Sequence, residues 1–252
     1  MSENGRVSTL CLIPARGGSK GIPRKNLMPV AGRPLITWTI QQALLAEADL
    51  RVVVSTDDPE IAEVAAAAGA EVPFLRPAHL AEDTTATEPV VLHAIEHLAE
   101  QGERPGTVML LQATSPIRLE GTLDRAMREF EESGADSMVG VVAQTPFLWW
   151  ASDPPSADYP VDARPRRQDL TPEMMRYRET GSLYVTRTEI YEEHHNRLGG
   201  RIALFEMAEV EGVDIDTDLD LRITDAFLLD QERRHFEAAE QLKGNDQSTG
   251  QP

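Results

Sequence analysis

The chain has 252 residues, 41% hydrophobic and 26% charged, with 42 acidic side chains against 24 basic ones and a formal net charge of −18. That length and balance describe a folded globule of one large domain, at ~100–200 residues per domain, and exclude nucleic acid or an anionic membrane as the main partner, since phosphate surfaces repel such a field. One cysteine, Cys11, excludes an internal disulfide framework, and the apolar stretch Val7–Ile13, seven residues long, is too short for a membrane span or a secretion signal, so a cytoplasmic location is expected.

Val7–Ile13 reads as a buried strand ended by Pro14. A glycine-rich loop, Ala15 to Asn26, follows it. Helical spacing over Pro34–Ala48 places Leu35, Trp38, Ala43, Leu44 and Leu45 roughly on one face. Arg51–Ser55 is a second buried strand, and Asp57 or Asp58 caps a helix opened by Pro59 and closed by Gly69. Val72–Leu75 is short and apolar, Arg76–Thr85 is loop, and Thr87–Glu100 is a helix ended by Gly102. Val108–Leu111 is a third strand, followed by a loop over Gln112–Leu119, a helix to Glu132 and a strand over Asp136–Val142. Strands return at Ser182–Thr186 and Arg201–Phe205, a final helix spans Thr217–Leu242, and residues 243–252 read as a flexible tail. This alternation predicts one α/β domain over 1–242, with a mostly parallel, Rossmann-like sheet covered by helices on both faces in three α/β/α layers. Ligands of such sheets bind beyond the carboxyl ends of the strands. The alternation breaks at Gln144, opening an insertion over about 144–200. Its Gln144–Arg176 part holds six of the 17 prolines, the Trp149–Trp150 pair and the cluster Arg164, Arg166, Arg167.

Charge is unevenly distributed. From Asn4 to Ala46 there is no Asp or Glu, yet Arg6, Arg16, Lys20, Arg24, Lys25 and Arg33 all lie there. Only three lysines occur in the chain, and two of them, Lys20 and Lys25, sit in the glycine-rich loop. Gly17, Gly18 and Gly21 allow backbone N–H groups close approach to a ligand, and the cations favour an anionic, phosphate-rich one. Neither the Walker pattern nor Gly-x-Gly-x-x-Gly is present. A second signal is Asp214-Ile215-Asp216-Thr217-Asp218-Leu219-Asp220. In extended backbone Asp214 and Asp216 point to one face, a spacing that suits a shared divalent cation or, more simply, a solvated acidic turn. An EF-hand is disfavoured, because Leu219 stands where glycine is needed.

The run Leu12 to Asn26 (LIPARGGSKGIPRKN) resembles the opening motif of the acylneuraminate cytidylyltransferases, the CMP-sialic acid synthetases and their bacterial relatives. The likeness continues through Val54–Asp57, Leu75–Pro77, Ala81–Thr84, Leu111–Pro116, Gly181–Tyr184 and Asp214–Thr217, covering roughly residues 8–230 in the family's order. The resemblance implies a sheet of the nucleotide-sugar transferase type with a protruding dimerisation arm at the insertion, hence a homodimer. It implies CTP as nucleotide, a nine-carbon 3-deoxy-2-keto sugar acid as acceptor, and Mg²⁺ (or Mn²⁺) as cofactor. By position, Arg16, Lys20 and Lys25 match the catalytic cations. Ala15, Arg16, Gly17, Ser19, Asn26, Arg76 and Thr87 match nucleotide-binding positions, and Gln112, Arg167, Gln168 and Tyr184 match sugar-binding ones. Asp214 and Asp216 match the metal ligands. The segment His194–Arg201 is polar where the sialic acid enzymes place large apolar residues, which leaves legionaminic and pseudaminic acids open as acceptors. A 3-deoxy-octulosonate or phosphonate cytidylyltransferase, or a non-catalytic nucleotide-binding relative, are the rival readings. His93 and His97 lack the Glu of a zincin motif, since Ala94 follows His93, and read as structural. Cys11 reads as a buried small hydrophobe, and Trp149–Trp150 as an interface anchor before a base-stacking pair.

Overall fold

The computed structural model describes residues 9–18 and 21–248, with side chains described as far as Arg234; Ser19 and Lys20 therefore lie outside the described residues. In chain order the strands are β1 (Thr9–Pro14), β2 (Pro29–Val30), β3 (Arg33–Pro34), β4 (Leu50–Ser55), β5 (Thr107–Leu111), β6 (Ser137–Gln144), β7 (Trp149–Trp150), β8 (Ser156–Ala157), β9 (Arg176–Arg187) and β10 (Ile202–Met207). The helices are α1 (Leu35–Leu45), α2 (Pro59–Ala67), α3 (Thr87–Glu100), α4 (Thr122–Ser133), α5 (Thr188–His194) and α6 (Asp218–Ser248).

Six strands form the central sheet in the order β10-β6-β9-β5-β1-β4. β4, β1 and β5 run parallel, as do β6 and β10, while β9 lies antiparallel between β5 and β6. The layers follow from the period-2 alternation of side chains along β1. Cys11 and Ile13 pack with α1, α2 and α4 on one face, and Leu10 and Leu12 pack with α3 and α5 on the other. A smaller core of Ile22, Val30, Leu35, Trp38, Ile117, Ile215 and Leu228 joins the glycine-rich loop to the start of α6.

Several boundaries differ from the sequence reading, each for a local reason. Leu44 and Leu45 are not on the buried face of α1; Leu45 is 82% exposed, because Ile36, Ile40 and Ala43 carry that face. The second strand begins one residue earlier than expected, at Leu50, and isolated bridges from Val53 to Glu71 and from Thr56 to Leu75 line the segment around Val72–Leu75 along it. β9 is twelve residues long, extending the expected Ser182–Thr186 back to Arg176 through a register shift opposite Val139–Val141. The last helix continues past Leu242 to Ser248, so the expected tail over 243–252 begins as helix. The stretch Gln144–Arg176 is ordered by its own contacts. β7 and β8 form a small hairpin, Asp158 accepts from Arg176 Nε at 2.5 Å, and Arg164 lies over the Phe147 and Tyr159 rings at 4.6 and 5.5 Å.

Candidate functional site

At the carboxyl ends of β1, β4 and β5 lies a cavity of about 330 Å³, lined by Arg16, Gly18, Lys25, Asn26, Arg76, Thr87 and Gln112 among others. Six residues singled out in the sequence, separated by as much as 96 positions, therefore meet in one space: Arg16, Lys25, Asn26, Arg76, Thr87 and Gln112. β1 ends at Pro14, and Ala15 N–H extends its pairing by donating to Ser55 O at 3.0 Å. The chain then passes over the start of α2, where Gly17 N–H donates to Asp57 Oδ1 at 3.0 Å. A side chain at Gly17 would bring its Cβ within 2.5 Å of Asp58 Oδ2, so only glycine fits this crossing.

Arg24 adopts a left-handed conformation (φ 53°) immediately before the short helical turn Lys25–Leu27. Such backbone costs roughly 1–3 kcal/mol in a non-glycine residue and persists where its surroundings over-determine it. Here Arg24 is tied to Asp58 at 3.3 Å and to Glu60 at 2.6 Å. The turn places Lys25, only 8% exposed, so that Nζ donates to Ile215 O and lies 3.3 Å from Asp216 Oδ1. Asn26 Nδ2 donates to Arg16 O at 3.1 Å and fixes the loop across its own width. Arg16 at the rim donates to Glu82 O at 3.0 Å and pairs with Asp83 at 2.9 Å. Arg16, Arg24 and Lys25, from the acid-free segment, are thus held by acids that arrive from elsewhere in the chain.

Arg76 is buried, and its nearest carboxylate oxygen, Asp57 Oδ1, is 3.7 Å from Nη2. Its Nε and Nη2 have no hydrogen-bond partner, and burial lowers its pKa from the ordinary arginine value. On the far wall α3 begins at Thr87 after Ala86, with no side-chain cap, and Thr85, Ala86, Thr87 and Val90 face the cavity. A helix start of this kind presents free N–H groups and the positive end of the helix dipole to an anion.

Asp214 and Asp216 flank Ile215, which is fully buried in the small core. On either side of it Asp214 is half-buried and Asp216 exposed. Asp214 Oδ1 accepts from Ser115 Oγ at 3.3 Å, and Ile215 N–H donates to Thr114 O at 2.9 Å, which holds the acidic segment against the loop after β5. Buried Glu211 strengthens the same junction: its Oε1 accepts from Leu119 N–H at 2.9 Å and from Thr122 Oγ1 at 2.6 Å. Among the described residues no group of three or more His, Cys, Asp or Glu is placed to hold a metal. Two carboxylates fit Mg²⁺ nonetheless, because that ion commonly takes one or two carboxylates and fills its remaining positions with water and substrate phosphates.

The other three sugar-site candidates, Tyr184, Arg167 and Gln168, do not line the cavity. Tyr184 is buried under α3 and α5, its hydroxyl donates to Glu179 Oε1, and Arg197 lies 5.0 Å over its ring while pairing with Glu88 at 2.7 Å. Burial, with Glu179 second, raises the Tyr184 pKa. Arg167 and Gln168 occupy an exposed turn, Arg167–Asp169, in the insertion. His93 and His97 pack edge-on to Phe74 at 4.7 and 4.8 Å, and burial lowers the His93 pKa. Cys11 is wholly buried, which pushes its thiol up to about 12. Sequence reasoning gave no site role to Asp57, Ser115, Arg118 or Glu211; each has a partner at least 40 positions away, a relation with no local signature.

An α/β sheet whose carboxyl edge gathers buried cations, an open helix start and a pair of carboxylates defines a nucleotide-binding transferase architecture. The cytidylyltransferase family model matches residues 10–220, and the chain belongs to this family. It is 33% identical over 233 residues to the pseudaminic acid cytidylyltransferase of Campylobacter jejuni, spanning 85% of this chain and 94% of that protein. It is 36% identical over 225 residues to N-acylneuraminate cytidylyltransferase A of Danio rerio, across 86% of this chain but only 50% of that longer protein. The fold is similar to a CMP:2-keto-3-deoxy-manno-octonic acid synthetase solved with CTP, with a TM-score of 0.67 at 17% identity, covering 89% of this chain and all of that one.

Proposed function

We propose that this cytidylyltransferase moves CMP from CTP to the anomeric hydroxyl of a nine-carbon 3-deoxy-2-keto sugar acid, of sialic, legionaminic or pseudaminic type, and releases pyrophosphate. The observation that carries the reading is the convergence of Arg16, Lys25, Arg76 and the start of α3 on one cavity, beside a pair of carboxylates. The names of the relatives supply the acceptor class.

In the reaction the anomeric hydroxyl gives its proton to solvent and its oxygen bonds to the α-phosphorus as the bond from that phosphorus to the bridging oxygen of pyrophosphate breaks. Negative charge grows on the non-bridging and leaving oxygens, so fixed cations carry most of the catalysis. Lys25 and Arg16 flank the reacting phosphate, and Lys20 supports the leaving pyrophosphate. Before CTP arrives, Asp216 and Asp83 compensate Lys25 and Arg16; phosphate oxygens take over from those carboxylates on binding. Asn26, Arg76 and Thr87 receive the nucleoside, and Gln112 meets the acceptor. Asp214 and Asp216 would hold Mg²⁺, or Mn²⁺ with the same oxygen donors, and the ion when bound neutralises phosphate charge and lowers the pKa of the attacking hydroxyl. The exposed Trp149 and Trp150 and the exposed turn holding Arg167 and Gln168 support our reading of the insertion as the arm of a homodimer, and we take the protein to act in the cytoplasm. Among the described residues no helix is long and apolar enough to cross a membrane.

The test is pyrophosphate release from CTP with a panel of nine-carbon keto acids, using the wild-type chain and Lys25→Ala. We expect release with at least one acid, and a kcat about 10²–10³-fold lower in the variant, the usual cost of one transition-state donor. Tight CTP binding without release for any acid would point to the non-catalytic reading. Wild-type turnover by Lys25→Ala would remove that residue from the chemistry.

A further inference from the structure

Arg118 is among the largest fully enclosed side chains, 2% exposed, and it lies between the sheet and α1. None of the described carboxylates bonds to it. Its hydrogen bonds all go to neutral oxygens: Nη1 donates to Thr39 Oγ1 at 3.2 Å and to Gln42 Oε1 at 3.1 Å, while Nη2 donates to Gln112 O at 3.1 Å and to Ser182 O at 2.7 Å. Burial lowers its pKa to about 10, so it keeps its charge at neutral pH. A small polar side chain could satisfy one of these carbonyls without burying an ion. What a guanidinium adds is a rigid planar fork that fixes several acceptors relative to one another.

The acceptors lie where the sheet comes apart. The β5–β9 ladder ends at the pair Leu111–Leu183, and the next amide, Gln112 N–H, reaches Ser182 O at only 3.4 Å. On its other side β9 slips register against β6 between Val139 and Val141, and Gly181 takes a left-handed φ of 72°. Bulges beside active sites commonly re-aim a side chain. Here the Gln112 side chain lies over Gly181, close enough that a Cβ on that residue would sit 3.7 Å from Oε1.

We infer that Arg118 is a positioning residue: its guanidinium clamps the end of β5 to the bulge of β9 and braces both on α1, and so holds Gln112 at the cavity wall. The kinetic part rests on the proposed contact of Gln112 with the acceptor; the clamp itself does not.

The experiment uses the full chain with Arg118→Lys, which keeps the charge and loses the fork. Expected are a rise of about ten-fold or more in KM for the sugar acid, by misplacement of a binding group, and a change below about two-fold in KM for CTP. Amide hydrogen exchange should speed up in residues 111–118 and 180–184. Unchanged exchange overturns the clamp, and faster exchange with equal losses toward both substrates overturns the positioning of Gln112. Gln112→Ala runs in parallel. If its acceptor KM stays at the wild-type value, the reading of Gln112 has failed, and exchange alone decides the clamp. Should Arg118→Lys not fold, Thr39→Val removes one acceptor of Nη1 and must shift KM and exchange the same way by less; no shift in either overturns the proposal.

Discussion

Lys25 and Arg76 are both buried in the cavity wall, yet they are compensated differently. Lys25 has a carbonyl and a carboxylate within reach, whereas Arg76 keeps two guanidinium donors unpaired, with Asp57 at 3.7 Å. Unpaired buried donors cost stability in the free protein and are recovered when a ligand brings oxygens to them. Arg76→Met should therefore raise KM for CTP at least about ten-fold while leaving the melting temperature unchanged or higher, since an apolar chain replaces a poorly paired ion. Asp57 stays partly solvated and bonded to Gly17 N–H in that variant, so it does not become an orphan. Calorimetry alongside kinetics checks both halves; a clear loss of stability would show that Arg76 serves the fold first. At this scale the sequence was informative about cations and silent about their counterparts. Lys20 and Lys25 stood out because lysine is otherwise scarce, but nothing near Arg118 in the chain announces an enclosed arginine, because Thr39, Gln42 and Ser182 come from other elements.

The element that fixes the glycine-rich loop is α2. Asp58 caps it, its Oδ1 accepting from Glu60 N–H at 2.8 Å and Ile61 N–H at 3.3 Å, while its Oδ2 pairs with Arg24 and sits under Gly17. One side chain thus starts a helix and supports the loop that carries Lys25. Asp58→Ala should cost about 1–2 kcal/mol of unfolding free energy, the usual value of a lost cap. Asp58→Asn, which still caps, should recover most of it, and urea titration of the three proteins measures the difference. Equal losses in both variants would assign the stabilisation to the Arg24 pair instead. Elements were legible where one local rule decided them: α3 over Thr87–Glu100 came from its apolar period and the glycine after it, and Pro59 marked the first turn of α2. β9 was cut short because its first half is exposed and polar, so its strand character comes from pairing with β6 and not from burial. α6 outran its expected end by continuing through Gly244 and Asn245, residues that usually close a helix.

Over the whole molecule the −18 charge is distributed so that acids from distant segments hold the basic one: Asp83 holds Arg16, Asp58 and Glu60 hold Arg24, Asp216 holds Lys25, and Glu232 holds Arg33. Other acids pair with arginines such as Arg51, Arg104 and Arg197, and the excess of acids over bases leaves net repulsion across the surface. Raising NaCl from ~0.02 to ~1 M shortens the screening length to about 3 Å and should raise the melting temperature by relieving that repulsion. A fall in the same titration would mean that the cross-chain ion pairs outweigh it. The Lys25 contact with Ile215 also spans 190 positions, and Ser115 to Asp214 spans 99. Contacts of such long range form late, after the cost of closing their loops has been met by other structure. β1, β4 and β5 can pair before the segment at Ile215 docks, so a folding chain sets out the cations of its cavity ahead of the carboxylates beside them. Docking of the Ile215 segment is thus the event that joins the two halves of the site, and its timing belongs to the order of folding and not to any local preference of the residues involved.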